Sequence, residues 1–195
     1  MASLLEAGGQ SVLLSGQRVG RQARDGVVGD LFRVHLTNPP SVEVVHSFSE
    51  KASSLAVSPT SDSEIYFADI SLNRLNLARR AQMRVEVDGL QNARAVATTP
   101  KGEIYVADHR GEHGVILQIR AGSREPVRVI EDPQFINLTA IDSASDGTLY
   151  VSSSSAFSGL GAIFEIRLPS TGAPVITPIW KGASGSPPRA MAVVR

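Results

Sequence analysis

Along most of this chain, apolar and polar residues alternate over short stretches that are separated by Gly, Pro, Asn, Asp and Ser. A period of two bounded by turn residues predicts β-strands with one face buried. Three segments align without gaps: SSLAVSPTSDSEIY (53–66), NARAVATTPKGEIY (92–105) and NLTAIDSASDGTLY (137–150). Each has alanine at its fourth position, Val or Ile at its fifth and tyrosine at its last, so Tyr66, Tyr105 and Tyr150 mark a repeat at intervals of 39 and 45 residues. Within the second copy the order is ARAVAT, a turn at Pro100-Lys101-Gly102, EIYVAD, GVILQIR (114–120) and PVRVIED (126–132). The flanking copies keep it, with IYFAD, NRLNLA and MRVEV in the first and LYVSS, AIFEIRL and VITPIW in the last. No stretch has the 3.6-residue period of an amphipathic helix, and ARRAQM (78–83) reads as a connection between strands.

Four antiparallel strands per unit of about 40–50 residues is the pattern of a β-propeller blade. The N-terminal part enters this scheme in mid-repeat: SVLLSG (11–16), DLFRVHL (30–36) and VEVVHSF (42–48) match second, third and fourth strands. RAMAVV (189–194) matches a first strand with nothing after it. The expectation is therefore an all-β single domain over 1–195, with blades at 11–48 plus 189–195, 53–88, 92–132 and 137–181. The C-terminal strand would pair with the N-terminal blade and close the ring, leaving no sheet edge at the seam. An arc of a larger propeller is the alternative, because four blades are the lower end of what closes.

Composition narrows the function classes. Apolar residues make up 42% and charged residues 19%, which excludes a disordered chain and a coiled coil. Lys plus Arg and Asp plus Glu both number 19, and a net charge of zero argues against a nucleic-acid partner, whose phosphates call for a basic surplus. The chain has no cysteine, hence no disulfide, no thiolate zinc site and no cysteine nucleophile. MASLLEAGGQ has neither a basic start nor a long apolar core, so no signal peptide is visible, and no apolar run reaches membrane-spanning length. A soluble protein, cytoplasmic rather than secreted and without a membrane partner, is the expectation.

LAVSPTSDSEIYFAD (55–69) and AVATTPKGEIYVAD (95–108) resemble the blades of NHL-repeat and SMP-30/gluconolactonase-like propellers. The resemblance covers about three of the four units and is a blade signature, not an active-site signature; it implies the fold. In SMP-30-like lactonases a divalent metal sits at the mouth of the central channel, with ligands that include Asn and Asp just before the first strand of different blades. The matching positions here are Ser53, Asn92, Asn137 and Arg189. The resemblance thus implies Asn92 and Asn137 as oxygen ligands for a hard cation such as calcium. No carboxylate occupies this ring, and Arg189 would repel a cation. The other reading is that both asparagines hydrogen-bond the turn that enters each strand.

In a propeller, the loop entering the first strand and the loop leaving the second share a face, which groups Asp69, Asp108 and 109–113 with Asn92 and Asn137. ADHRGEHG (107–114) holds Asp108, His109, Glu112 and His113. A histidine beside a carboxylate can act as a general base, while a solvated turn has the same composition. Asp69 and Asp108, at strand ends, also fit acceptors for turn N–H groups. The loop SSSSAFSGLG (152–161) offers Phe157 among hydroxyls as a platform for a sugar or peptide, without a nucleophile elbow. In GQRVGRQARDGVVG (16–29), Arg18, Arg21 and Arg24 give a local basic excess suited to an acidic partner.

Three readings of function follow. The first is a binding module whose loop-rich rim (Ser53, Asp69, Asn92, Asp108, His109, His113, Asn137, Arg189) holds a protein, peptide or small-molecule ligand. The second is a metal-dependent lactonase or lyase of the SMP-30 kind. The third is a truncated propeller that works after self-association. The missing carboxylate favours the first.

Overall fold

The computed structural model of the protein describes residues 4–7, 11–17, 29–48, 54–58 and 61–182. The chain forms four antiparallel four-stranded sheets arranged as the blades of a β-propeller, each sheet running through its strands in chain order. The first contains β1 (Leu4–Ala7), β2 (Ser11–Gln17), β3 (Gly29–His35) and β4 (Ser41–Phe48). The second contains β5 (Ser54–Ser58), β6 (Ser61–Ala68), β7 (Leu72–Asn76) and β8 (Ala81–Val85). The third contains β9 (Ala93–Thr98), β10 (Glu103–Arg110), β11 (His113–Arg120) and β12 (Arg128–Ile136). The fourth contains β13 (Leu138–Ser143), β14 (Leu149–Ser153), β15 (Ala162–Arg167) and β16 (Val175–Lys181). Among the described residues no helix is long and apolar enough to cross a membrane.

One expectation is corrected. The innermost strand of the first blade is β1, paired from Leu4↔Leu14 to Ala7↔Ser11. It is not the segment 189–195, which lies outside the described residues, as do Ser53, Arg18, Arg21 and Arg24. The physical reason is chain entropy: β1 and β2 are joined by a short connection, whereas pairing β2 with the C-terminus would close almost the whole chain into one loop. The first blade is therefore complete within residues 4–48.

Because side chains alternate across each strand, every blade has two faces, and consecutive blades bury an apolar face of one against the next. Leu13, Leu31 and Phe48 of the first blade meet Leu55, Ile65 and Phe67 of the second. Ala56, Tyr66 and Ala68 of the second meet Ile104, Val106 and Leu117 of the third. Ala95, Tyr105 and Ala107 of the third meet Leu149, Val151 and Phe164 of the fourth. The repeated Ala and Tyr thus form the face that the second and third blades turn toward their successors.

Hydroxyl groups fasten the inner strands to one another. Ser54 Oγ accepts from Val96 N at 3.2 Å, Thr98 Oγ1 donates to the Val57 carbonyl at 2.8 Å, and Ser143 Oγ donates to the Thr98 carbonyl at 2.7 Å. Backbone groups of an inner strand that find no neighbouring strand are satisfied in this way.

Candidate functional site

Asn92 and Asn137 immediately precede the innermost strands β9 and β13. Their carbonyls are used identically: His109 N, on β10, donates to Asn92 O at 2.9 Å, and Ser154 N, just past β14, donates to Asn137 O at 3.1 Å. The loop entering the first strand is thereby tied to the end of the second strand in both blades. One residue further on, both inner strands carry a bulge at the same place. Asp108 pairs with Ala93 and Ala107 with Ala95, so Arg94 is the extra residue. Ser153 pairs with Leu138 and Ser152 with Ala140, so Thr139 is its counterpart. A bulge interrupts the alternation and re-aims one side chain, here two residues from each asparagine.

The side chains around these bulges differ. Asn92 Oδ1 is buried and accepts no hydrogen bond from any described group. Arg94 is exposed. Asn137, at φ 55, is left-handed, a conformation asparagine tolerates better than most residues, and its Nδ2 donates to Ser154 Oγ at 2.6 Å. Thr139 Oγ1 lies 2.8 Å from Ser152 Oγ. Arg94 and Thr139 escaped the sequence reading because a bulge is invisible in an ungapped alignment, where the positions of Leu55, Arg94 and Thr139 vary no more than those of Ser54, Ala93 and Leu138 before them.

Asp108 is fully buried and its oxygens are occupied. Oδ1 accepts from Asn92 N at 2.6 Å and Gln91 N at 3.1 Å, and Oδ2 accepts from Arg110 Nε at 3.0 Å. Arg110 Nη2 donates in turn to the Gly89 carbonyl at 2.9 Å. The carboxylate therefore clamps the 89–92 connection to the end of β10 and holds Asn92 in place. Asp69 Oδ1 accepts from Ser71 N at 3.0 Å and Asn73 Nδ2 at 2.9 Å, organising the turn that follows β6. Asp69 thus accepts from the turn that follows its strand, whereas Asp108 accepts from the connection that enters β9 and not from the turn after β10.

The residues 108–113 do not converge. Strands β10 and β11 run on to Arg110 and His113, which pair directly, so the hairpin turn is only Gly111-Glu112. His113, Arg110 and Asp108 share one face of the hairpin, and His109 is on the other. Burial and the nearby Arg94 guanidinium lower the pKa of His109, with Asp108 acting in the opposite sense. Because the folded state resists protonating His109, its contribution to stability is complete above the unfolded histidine value, about 6.5, and is lost as pH falls toward the lower folded value. Denaturant titrations at successive pH values below about 6.5 should show stability declining, and His109→Gln should flatten that slope. Hydrogen bonds donated by Thr148 lower the carboxyl of Asp146 below the ordinary carboxylate range, outside this window.

In the fourth blade, residues 156–159 form a short turn in which Phe157 (φ 47) and Ser158 (φ 63) are left-handed. Phe157 N donates to Gln134 Oε1 at 3.0 Å, its ring stacks 6.0 Å from Phe164, and Lys181 Nζ lies 4.1 Å from its centroid. The ring expected as a ligand platform is thus already engaged by the protein. Arg189, with Ser53, belongs to the matched ring but lies outside the described residues.

A divalent cation held as the blade resemblance implies calls for six to eight oxygens, several of them carboxylate. Among the described residues no three His, Asp or Glu side chains gather as a metal site. Among the described residues Asn92 Oδ1 is the one buried acceptor without a donor, the carboxylate beside it is committed to amides and Arg110, and cationic Arg94 is two positions away in the chain. The described residues do not fit a resident calcium ion.

No family model matches the chain, and no curated protein matches it in sequence. Solved structures do match in shape. A chain of a nidogen/laminin complex superposes with TM-score 0.65 at 18% identity, covering 88% of this chain and 62% of that one. A candidate gluconolactonase gives 0.61 at 8%, covering 90% and 62%. Regucalcin, a calcium-binding protein of Agrobacterium tumefaciens, gives 0.54 at 18%, covering 93% and 62%. What is shared is the β-propeller fold. The likeness reaches the same gluconolactonase and regucalcin group that the blade sequences resemble, and this chain spans about three fifths of the length of each of the three.

Proposed function

We propose that the chain is a binding module that holds a carboxylate-bearing peptide or small molecule at the entry of β9 and β13. The observation that carries this reading is the pair of equivalent bulges that present Arg94 and Thr139 beside Asn92 and Asn137. Arginine offers a planar fork of donors that suits a carboxylate. The buried Asn92 oxygen, which lacks a donor, supplies an acceptor for an N–H or O–H of the same ligand. An unsatisfied buried acceptor costs free energy in the unliganded protein, and a ligand that satisfies it recovers that cost.

The test is amide shift mapping with a short glutamate-rich peptide and, separately, with calcium chloride. The peptide should shift residues 92–94, 109 and 137–139, added salt should weaken the effect, and Arg94→Gln should reduce affinity by about tenfold, the size of a charge-assisted contact worth roughly 1.5 kcal/mol. The double variant Asn92→Ala, Asn137→Ala should also weaken the peptide without unfolding the protein. Shifts produced by calcium at Asn92 and Asn137 and abolished in the double variant would instead favour the metal-dependent lactonase reading, which the calcium-binding character of one structural neighbour motivates. Peptide shifts confined to the outer strands would eliminate the rim.

A further inference from the structure

Among the described residues, Ile70 is the one β-branched residue with a positive φ, at 145. A β-branched side chain in this region is a true outlier, whereas glycine adopts it without steric cost. Ile70 is the middle of the turn 69–71 between β6 and β7, and hydrogen bonds hold that turn from three sides. Asp69 N donates to Ser71 O at 3.2 Å, Ser71 N donates to Asp69 Oδ1 at 3.0 Å, and Ala93 N donates to Ile70 O at 2.6 Å. The last bond crosses from the second blade to the third and ends on the residue between Asn92 and Arg94. The corresponding turn of the third blade has a glycine, Gly111, at its positive φ of 64, and that of the fourth has Phe157, whose ring stacks on Phe164. Ile70 has neither form of relief. It is 52% exposed and belongs to none of the three buried clusters.

An outlier that the packing of the fold does not explain points to a function at that position. Three chemistries meet at this crossing of the chain: the guanidinium of Arg94, the buried Asn92 Oδ1 that lacks a donor, and the exposed aliphatic side chain of Ile70. Ala93 N, which stands between the first two, is already bonded to Ile70 O, so a carboxylate here is received by the guanidinium and not by that amide. An N-acylated amino acid carries the three complements on a single carbon: a carboxylate, an N–H and a side chain.

We infer that the ligand of the rim is an N-acylated amino acid with an apolar side chain, as at the free C-terminus of a peptide, and that Ile70 selects that side chain. The inference rests on the carboxylate-binding reading above and adds to it which carboxylate is taken. A side chain covered by Ile70 removes apolar surface from water, so affinity grows with its size. The N–H that satisfies Asn92 Oδ1 discriminates against an acid that lacks one, because the acceptor then stays buried and unmet. Glycine at position 70 would remove the strain and the selectivity together, the trade expected where a fold keeps a costly residue for function.

Amide shift titrations of the full chain and of Ile70→Gly with N-acetyl-leucine, N-acetylglycine and isocaproate test it. N-acetyl-leucine should bind about tenfold more tightly than N-acetylglycine, the effect of covering a few aliphatic carbons. Isocaproate, which is leucine without its amino group, should bind about tenfold more weakly than N-acetyl-leucine. In Ile70→Gly the preference for N-acetyl-leucine should shrink to less than about threefold, N-acetylglycine should bind as before, and the melting temperature should not fall. Equal binding of the two N-acetyl ligands, or a preference that survives in Ile70→Gly, would overturn the inference and leave a carboxylate site standing. Isocaproate binding as tightly as N-acetyl-leucine would overturn the peptide-end assignment in the same way. A melting temperature lowered by the glycine would show that the isoleucine serves the fold, and would overturn the assignment of its strain to the site. If none of the three acids shifts residues 92–94, the carboxylate reading itself fails and this inference falls with it.

Discussion

Replacing Asp108 by alanine is expected to cost about 3 kcal/mol and lower the melting temperature by roughly 6–12 °C, on the scale of 2–4 °C per kcal/mol for a chain of this size. The carboxylate is fully buried and accepts from two backbone amides and one guanidinium. Its removal leaves Asn92 N without an acceptor and deprives Arg110 of its charge partner, and each loss carries the desolvation cost of an unmet polar group. Arg110 is 29% exposed and retains the Gly89 carbonyl, so part of its loss is returned by water, which keeps the total near the middle of the range for such changes. Asp108→Asn keeps an acceptor for Asn92 N and should cost about half as much. Removing Arg110 as well should add less than the single changes predict, the signature of a coupled pair. Thermal unfolding of the four proteins checks this cycle. A cost below about 1 kcal/mol for Asp108→Ala would mean that the clamp contributes little and that the 89–92 connection is held by packing alone. Because the same carboxylate positions Asn92, the variant should also weaken peptide binding at the rim, even at temperatures where it is folded.

Phe164→Ala should have an effect at least as large, about 3–5 kcal/mol, the range for deleting a buried aromatic ring. Phe164 is buried within the cluster between the third and fourth blades. Its ring meets Phe135 edge-on at 5.4 Å and stacks on Phe157 at 6.0 Å. The consequences extend beyond the cavity. Two non-glycine residues in the left-handed region, Phe157 and Ser158, cost about 1–2 kcal/mol each, and the stack on Phe164 helps to offset that cost. With the ring removed, residues 154–160 should relax toward ordinary backbone conformations and lose hydrogen-exchange protection before the rest of the blade does. Exchange measured by mass spectrometry on the variant separates the two parts of the effect. Uniform loss of protection across the fourth blade would show that the turn is not held by this contact.

The blades were legible in the sequence because their cause is local. Alternation selects the strand, Gly and Pro positions end it, and the second, third and fourth blades therefore follow the order of the three aligned copies. Boundaries shifted where a turn formed from residues without a turn signature: β8 begins at Ala81, inside the stretch read as a connection, because the chain turns over Leu77–Arg80 with Arg80 at φ 51. The first blade was misread at its inner edge, since LLEA is too short to show a period and does not match the repeat. Pairing with the adjacent β2 decides its place, and pairing energy between strands is a property of neighbours in space.

The sequence by itself determined the strand order, the blade repeat and the equivalence of Asn92 with Asn137, because each is written in residues close together in the chain. Only the tertiary structure decided what those residues touch. Asp108 clamps amides that lie 16 and 17 positions earlier, Arg94 stands beside His109 through a bulge, and Asn92 Oδ1 is left without a donor. Alternation states that a strand has an apolar side, whereas burial of that side depends on which other surface arrives to cover it.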